Sequence, residues 1–339
     1  MRILAVSGNL DYSGSSLALY RFLKAVVPEH TVDVLWGQLG PPVLKDAYDA
    51  AGIPVVTNAA AGAYDVVLCN SLLTGPLVQR CAERCPVAWW IHEPRFGTDL
   101  IRNGRVPLAA FAAATTIVFP TAWQGRDVYR EWLTRDNWTV LENGVSVDLR
   151  PRPRPRPPGM PPGTFTILQL GAVEIRKGVD LTLAAVRRLA DPRIRLVYAG
   201  PRHPNFTPEL SPEEDERIIF AGSLNEDRVA ATLQHCDMLC CPTRDDLVAL
   251  AILEALQAGL PVAVSDYGPI PDTIRHDWNG LLSPVGDSER LAENIARLRD
   301  DPALRRRLAV NGQQTYRDRH TIERHRDGLL RILAETAGR

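Results

Sequence analysis

The stretch TFTILQLGAVEIRKGVD, residues 164–180, gives the clearest local evidence for the fold of this chain. An apolar run ends just before Gly171, and a helical pattern opens near Val179. Such a strand-to-helix junction is typical of α/β proteins, and the N-terminus of a helix attracts anions. The adjacent cations Arg176 and Lys177 lie in this junction, which favours a diphosphate-binding loop; an exposed, solvated pair of cations is the alternative.

The same alternation of apolar runs and helical patterns extends through the chain. Six runs occur in the first half (RILAVSG, TVDVLW, DVVLCNS, PVAWWIHE, TTIVFPT, WTVLENG) and five in the second (TFTILQLG, IRLVYAG, RIIFAGS, DMLCCPT, LPVAVSD). Runs that are apolar on both faces predict parallel strands covered by helices on both sides. The sequence therefore predicts an α/β chain with two Rossmann-like domains.

A proline-rich segment separates the two predicted domains. RPRPRPRPPGMPPG, residues 150–163, cannot continue a helix or a central strand, so it predicts an extended linker. The predicted domains are 1–149 and 164–320. The charged stretch from 288 to 333 predicts consecutive amphipathic helices that cover a sheet face.

The totals agree with a globular protein of two domains. The chain has 339 residues, 45% of them hydrophobic and 23% charged, with a net charge of -1. This near-neutral balance gives no general affinity for nucleic acid. No apolar run approaches the roughly 18 residues of a membrane helix, and the N-terminal run has no basic lead, so a cytoplasmic location is expected. The six cysteines form no paired CxxC units and are expected as core thiols rather than zinc ligands or disulfides.

A second group of candidate residues lies in PTRDDLVALAILEALQAGLPVAVSD, residues 242–266. The pattern predicts a loop followed by a helix over about 248–258. Asp246 and Glu254 are eight residues apart, which puts one carboxylate at the helix entry and the other about two turns along. A buried carboxylate needs a partner, and the two hydroxyls of a ribose would serve.

Together, these segments resemble the nucleotide-sugar-binding motif of the retaining glycosyltransferases of family 4, which have the two-domain GT-B fold. The spacing of Asp246 and Glu254, followed by EALQAGLPVAVSDYG, is similar to the carboxylate-x7-Glu pattern of that family. The Arg-Lys-Gly segment at 176–178 is similar to its diphosphate-binding loop.

Three further segments match the family in the same order. They are Gly14 after the first strand, His92-Glu93 after the WWI strand, and ENGVSVD at 142–148, where Asn143-Gly144 predicts a tight turn. The resemblance implies two parallel sheets facing a central cleft, with an acceptor-side first domain. In this fold the C-terminal helix, 321–339, crosses back to the first domain.

The resemblance implies roles in donor binding. Arg176 and Lys177 would neutralise the donor diphosphate and stabilise it as it leaves. Glu254 would bind the ribose hydroxyls, while Asp246 would hold a hydroxyl of the transferred sugar, with an ordinary first-turn helix acid as the alternative. The backbone amides that would join Asp246 belong to Leu247, Val248 and Ala249.

Three further residues complete the predicted site. His92 would face the reacting sugar; a hydrogen bond within its own loop is the alternative. Gly14 would let the first loop approach the phosphate or acceptor, and a plain turn is the alternative. Gly171 would form the turn that opens the diphosphate-binding loop.

Two departures from the family pattern leave the donor sugar undetermined. The family has Glu followed by Gly-aromatic-Gly, whereas this chain has Asp246 followed by apolar residues at 247–249. The family's Gly-Gly before an acidic residue is here Gly268 and a proline, with Asp272 as the acid.

The implied activity is the retaining transfer of a hexose-type sugar from a nucleotide-diphosphate donor to an acceptor hydroxyl. A cell-envelope glycan or a secondary metabolite of a high-GC bacterium is the expected setting. No cofactor and no metal are expected, because Arg176 and Lys177 would replace a cation. An epimerase, a disaccharide phosphorylase and a non-catalytic sugar-nucleotide-binding protein are the alternatives. An oxidoreductase is disfavoured, because VSGNLDYSGSS lacks the GxGxxG spacing. The sequence indicates neither membrane association nor an oligomeric state.

Overall fold

A computed structural model of the chain describes residues 1–150, 157, 160–203 and 215–339. The chain divides into two compact units, one formed by Met1–Val145 with His320–Arg339 and the other by Ser146–Arg319. The boundary falls shortly before the predicted linker. Most of that linker, 151–156 and 158–159, lies outside the described residues.

The described residues form strands and helices that alternate along the chain. The strands are β1 (Arg2–Ser7), β2 (Thr31–Trp36), β3 (Val55–Val56), β4 (Val66–Asn70), β5 (Val87–Trp90), β6 (Thr116–Phe119), β7 (Trp138–Val140), β8 (Phe165–Leu170), β9 (Ile194–Ala199), β10 (Ile218–Gly222), β11 (Met238–Cys241), β12 (Val262–Ser265) and β13 (Leu281–Ser283). The helices are α1 (Gly14–Val26), α2 (Lys45–Ala50), α3 (Gly75–Ala82), α4 (Gly97–Arg102), α5 (Ala109–Ala113), α6 (Val179–Leu189), α7 (Glu226–His235), α8 (Leu250–Ala258), α9 (Ser288–Asp300), α10 (Pro302–Arg319) and α11 (Ile322–Ala337).

Each unit contains one parallel sheet. The first has seven strands in the order β3-β2-β1-β4-β5-β6-β7, and the second has six in the order β10-β9-β8-β11-β12-β13. All eleven predicted strands are present, which confirms the two Rossmann-like sheets. The strands β3 and β13, two and three residues long, were not predicted, because such short runs carry no recognisable period.

The sheet cores explain why the apolar runs were recognisable. Strands β4, β5 and β6 are buried along their whole length, so both faces of each strand are apolar. In the second unit, Ile167 of β8 and Leu196 of β9 pack with Val186 of α6 and with Leu291 and Ile295 of α9. All five side chains are fully buried, and each such burial contributes about 1.5–3 kcal/mol.

The last helix, α11, belongs to the first unit. It packs on α1 and on strands β4 and β5, and Thr336 Oγ1 donates to Thr116 Oγ1 at 2.9 Å. Thr321, just before the helix, forms a parallel bridge with Val145. The prediction that the C-terminal helix crosses back to the first unit is confirmed.

Asn143-Gly144 does not form the predicted tight turn, since neither residue lies in a turn. A glycine is required at 144 because a side chain would have no space there. A Cβ atom at this position would lie 2.5 Å from the Thr321 carbonyl oxygen and 2.5 Å from the His325 Cβ. The glycine therefore allows the backbone to pass close to the start of α11.

Candidate functional site

The candidate diphosphate-binding segment, named here the cation loop (residues 171–178), joins β8 to α6. Gly171 opens it with φ +134°, and its N–H donates to the Ala199 carbonyl at 2.8 Å. Residues Ile175–Lys177 form a 3₁₀ turn, and Gly178, with φ 69°, directly precedes α6. Both glycines adopt conformations that side chains disfavour, so the loop geometry depends on them.

The cation loop packs against the segment that follows β11, named here the acid loop (residues 242–249). A Cβ atom on Gly178 would lie 2.0 Å from the carbonyl oxygen of Pro242, so the two backbones are in direct contact there. The N–H of Arg244 donates to the Arg176 carbonyl at 2.8 Å. The two motifs found in the sequence therefore lie side by side at one edge of the second sheet.

Both cations of the cation loop reach the acid loop. The Lys177 ammonium forms an ion pair with Asp246 Oδ2. The Arg176 guanidinium donates from Nη1 to the Asp245 carbonyl at 2.8 Å and from Nη2 to Glu174 Oε1 at 2.5 Å. The two side chains are 20% and 28% exposed, so each cation is partly withdrawn from water and matched by a neighbouring acid.

Asp246 lies in the loop rather than at the predicted helix entry. Its Oδ1 accepts the N–H of Leu247 at 2.9 Å, so both carboxylate oxygens are engaged. Helix α8 begins only at Leu250, and Ala249 before it is not helical, with ψ 142°. Helix α8 thus begins two residues after the predicted start at about 248 and ends at Ala258, as predicted. Of the three predicted amides, that of Leu247 is thus already bound.

Glu254 is the fifth residue of α8, about one helical turn from its start instead of the predicted two. Its side chain is 4% exposed. The helix packs on β11, β12, α7 and α10. Glu254 is thus a buried carboxylate on the helix that continues the acid loop.

The first unit places His92 two residues after the end of β5. Its Nε2 lies 2.9 Å from Asn70 Oδ1, which can only accept, so Nε2 carries the hydrogen. Asn70, at the end of β4, in turn donates to the Ser15 carbonyl at 3.2 Å in the first turn of α1. Burial, together with the neighbouring His325, lowers the pKa of His92 to about 3, so its ring is neutral at pH 7.

Glu93 is a structural residue to which the sequence assigned no role. Its carboxylate accepts Ser71 Oγ at 2.5 Å, the Leu72 N–H at 2.9 Å and the His92 N–H at 3.1 Å. Burial raises the pKa of this carboxyl group, against the effect of those hydrogen bonds. Glu93 thereby fixes the loops after β4 and β5. Its position next to His92 was the feature of the sequence that could have indicated this role.

Gly14 is the first residue of α1, and among the described residues no atom lies within 4 Å of a Cβ added there.

The loop before Gly14 contains a hydrogen-bonded acid that the sequence did not single out. Asp11 accepts the Ser13 N–H at 3.0 Å and Ser16 Oγ at 3.1 Å. Partial burial raises the pKa of Asp11, but hydrogen bonds to Ser13, Asn9 and Ser16 outweigh it and lower the pKa overall.

Other chemical groups are distributed as follows. All six cysteines are free thiols. Within the described ranges, no group of three or more His, Cys, Asp or Glu side chains is placed to hold a metal ion. No helix in the described part of the chain is both long enough and apolar enough to cross a membrane.

Comparison with known proteins defines the class. HepE from Anabaena, solved in complex with UDP-glucose, is similar with a TM-score of 0.80 at 16% identity, over 99% of this chain and 100% of that one. This likeness shows the fold, which is GT-B. Residues 154–315 match the model of the family described as glycosyl transferases group 1. The chain thus has the GT-B fold, and most of its second unit matches the family model of the glycosyl transferases of group 1.

Two curated relatives are similar over much of the chain. Sulfoquinovosyl transferase SQD2 of Arabidopsis thaliana is 27% identical over 251 residues, 69% of this chain and 47% of that protein. The phosphatidyl-myo-inositol mannosyltransferase of Mycobacterium leprae is 29% identical over 199 residues, 56% of this chain and 53% of that protein. The chain thus spans about half the length of the curated relatives it matches.

The contact between the two loops predicts an unequal effect of two glycine substitutions. Gly178→Ala forces a side chain into both a positive φ and the Pro242 carbonyl, and should lower the free energy of unfolding by about 3 kcal/mol. Gly222→Ala is the matched control, because Gly222 has φ 66° but, among the described residues, no atom within 4 Å of the added Cβ. It should cost only about 1 kcal/mol. Equal losses in chemical denaturation would show that the loops are not in contact.

Proposed function

We propose that this chain is a retaining glycosyltransferase that moves a hexose-type sugar from a nucleoside-diphosphate donor to an acceptor hydroxyl. The observation that carries the proposal is the convergence of Arg176 and Lys177 on the acid loop, at the carboxyl edge of a parallel sheet. Ligands of open α/β sheets bind at this edge, where the strand order reverses. Here the reversal lies at β8, which has β9 on one side and β11 on the other. The match of most of the second unit to the group 1 family model supports the same chemistry.

The two cations would hold and stabilise the diphosphate. Arg176 offers a planar fork that suits phosphate oxygens, and Lys177 offers three N–H donors. Because an ammonium has three donors, Lys177 could keep its ion pair with Asp246 while donating to a phosphate oxygen. Negative charge grows on the diphosphate as the sugar leaves, so both cations act more strongly in the transition state than in the ground state.

Acids would position the rest of the donor. Glu254 would accept both ribose hydroxyls, because one carboxylate can accept several hydrogen bonds. Asp246 would contact a sugar hydroxyl while orienting the Lys177 ammonium, with the amides of Val248 and Ala249 beside it. His92, neutral at pH 7, would contact the transferred sugar, and Gly14 would leave room for the phosphate or the acceptor.

Neither a metal nor a cofactor enters this proposal, because Arg176 and Lys177 supply the positive charge. HepE, crystallised with UDP-glucose, supports a nucleotide sugar as donor. The relatives SQD2 and the mannosyltransferase are named as transferases, which favours transfer over epimerisation or phosphorolysis. We further propose a bacterial, cytoplasmic enzyme whose acceptor is a cell-envelope glycan or a secondary metabolite.

The central test measures nucleoside-diphosphate release from a panel of nucleotide sugars, first ranked by the thermal shift that each produces. Release should require an acceptor alcohol and should continue in the presence of EDTA, and the product should keep the anomeric configuration of the donor. Donor turnover without an acceptor would indicate an epimerase or a hydrolase. Binding without any release would indicate a non-catalytic protein. Loss of activity in EDTA with recovery in Mn²⁺ would contradict the metal-independent mechanism.

Removing the Lys177 ammonium should remove most turnover. Lys177→Ala is expected to lower kcat by about 100-fold or more, since the ammonium stabilises charge that develops on the leaving diphosphate. Lys45→Ala is the matched control, because Lys45 is an exposed lysine that pairs with Asp49 on α2. Its kcat should be unchanged. Full activity of Lys177→Ala, measured by the same release assay, would refute the role of Lys177.

Neutralising Glu254 should weaken donor binding more than turnover. Glu254→Gln keeps the size of the buried side chain but removes the charge that strengthens hydrogen bonds to the ribose. A loss of about 1.5 kcal/mol corresponds to roughly a tenfold rise in donor KM. Glu293→Gln, at an exposed position on α9, serves as the control. A rise in acceptor KM with an unchanged donor KM would show that Glu254 contacts the acceptor instead of the donor.

A further inference from the structure

Arg244 in the acid loop binds both the cation loop and the helix that follows it. Its guanidinium binds the Asp180 carboxylate through two hydrogen bonds of 2.7 Å, and Nη1 also donates to the Ile175 carbonyl at 2.7 Å. Asp180 is in the first turn of α6, two residues after the cation loop ends. The Arg244 side chain therefore binds both the middle of the cation loop and the helix that follows it.

The backbone around Arg244 extends the same attachment. The N–H of Arg244 donates to the Arg176 carbonyl at 2.8 Å, and Thr243 Oγ1 donates to the same carbonyl at 3.1 Å. Arg244 therefore binds the carbonyls of both Ile175 and Arg176, and Thr243 binds the carbonyl of Arg176. These contacts set the backbone from which the side chains of Arg176 and Lys177 extend.

We propose that Arg244 is a positioning residue for the donor site: it locks the cation loop onto the acid loop, and so holds Arg176 and Lys177 in the arrangement that binds the diphosphate. The inference rests on the proposed function and deepens it. Arg244 and its partner Asp180 need not touch the donor themselves. A bidentate guanidinium suits this role, because a lysine could not bind a carboxylate and a carbonyl in the same planar geometry.

A direct role as a third cation for the diphosphate is the rival explanation, and substitutions distinguish the two. Arg244→Lys keeps the positive charge but loses the bidentate geometry. If Arg244 positions the loop, then Arg244→Lys, Arg244→Gln and Asp180→Asn should all weaken nucleoside-diphosphate binding by about tenfold, since small displacements of binding groups are costly. The double variant Arg244→Gln/Asp180→Asn should be no weaker than either single variant, because the two residues form one unit.

Two measurements on the full chain test the proposal. Calorimetric titration with UDP, GDP and ADP gives the affinity for the diphosphate portion. Hydrogen exchange of the donor-free protein gives the stability of residues 174–178, where Arg244→Gln should speed amide exchange at least about tenfold. Arg188→Gln is the matched control. Arg188 lies on α6, as Asp180 does, but it pairs with Glu289 in an exposed ion pair. It should change neither measurement.

The outcomes separate this proposal from the proposed function. If Arg244→Gln binds the nucleotides with the affinity of the wild type, or if its amide exchange in the cation loop is unchanged, the positioning role is overturned. The glycosyltransferase proposal would stay in place. Rescue of binding by Arg244→Lys would identify Arg244 as a direct diphosphate contact and also overturn it. Failure of the wild type to bind any of the three nucleotides would overturn the proposed function and, with it, the role of Arg244 in donor binding.

Discussion

The site depends on the close approach of two loops at the carboxyl edge of the second sheet. Strands β8 and β11 are neighbours in that sheet, so the loops that follow them leave at adjacent points. The glycine at 178 lets the backbones touch, since any side chain there would meet the Pro242 carbonyl at 2.0 Å. Where the backbones are in contact, Lys177 pairs with Asp246 across the two loops and Arg176 donates to the Asp245 carbonyl.

Electrostatics in this region follow from partial burial. Arg176 pairs with Glu174, Lys177 with Asp246 and Arg244 with Asp180, and no side chain among these six is more than 39% exposed. Charges removed from water need opposite charges nearby, so the donor-free protein is already internally neutralised. A diphosphate entering the site would therefore share or replace existing ion pairs, and the energy it gains depends on how well those pairs are positioned beforehand.

In the first unit, polar side chains at the strand ends hold the neighbouring loops in place. Asn70 links His92 to the first turn of α1, and Glu93 ties together the loops after β4 and β5. Each of these groups is buried or half-buried and hydrogen-bonded, which holds the loops at the carboxyl edge of the first sheet in one arrangement. The neutral ring of His92 follows from this enclosure, because a charged imidazole would lose its hydration.

The sequence by itself determined the two parallel sheets, because their strands are apolar on both faces and are separated by helical patterns. It also located the loops that carry Arg176, Lys177 and Asp246, since glycines and polar residues interrupt the apolar runs there, and it located the helix that carries Glu254. Tertiary structure decided the surroundings of Asp246, because its partner Lys177 comes from a loop that lies 69 residues away in the chain. It also decided the partner of Arg244, which lies 64 residues away at Asp180. Contacts between residues so distant in the chain depend on strand order, and the local pattern of a sequence contains no record of that order.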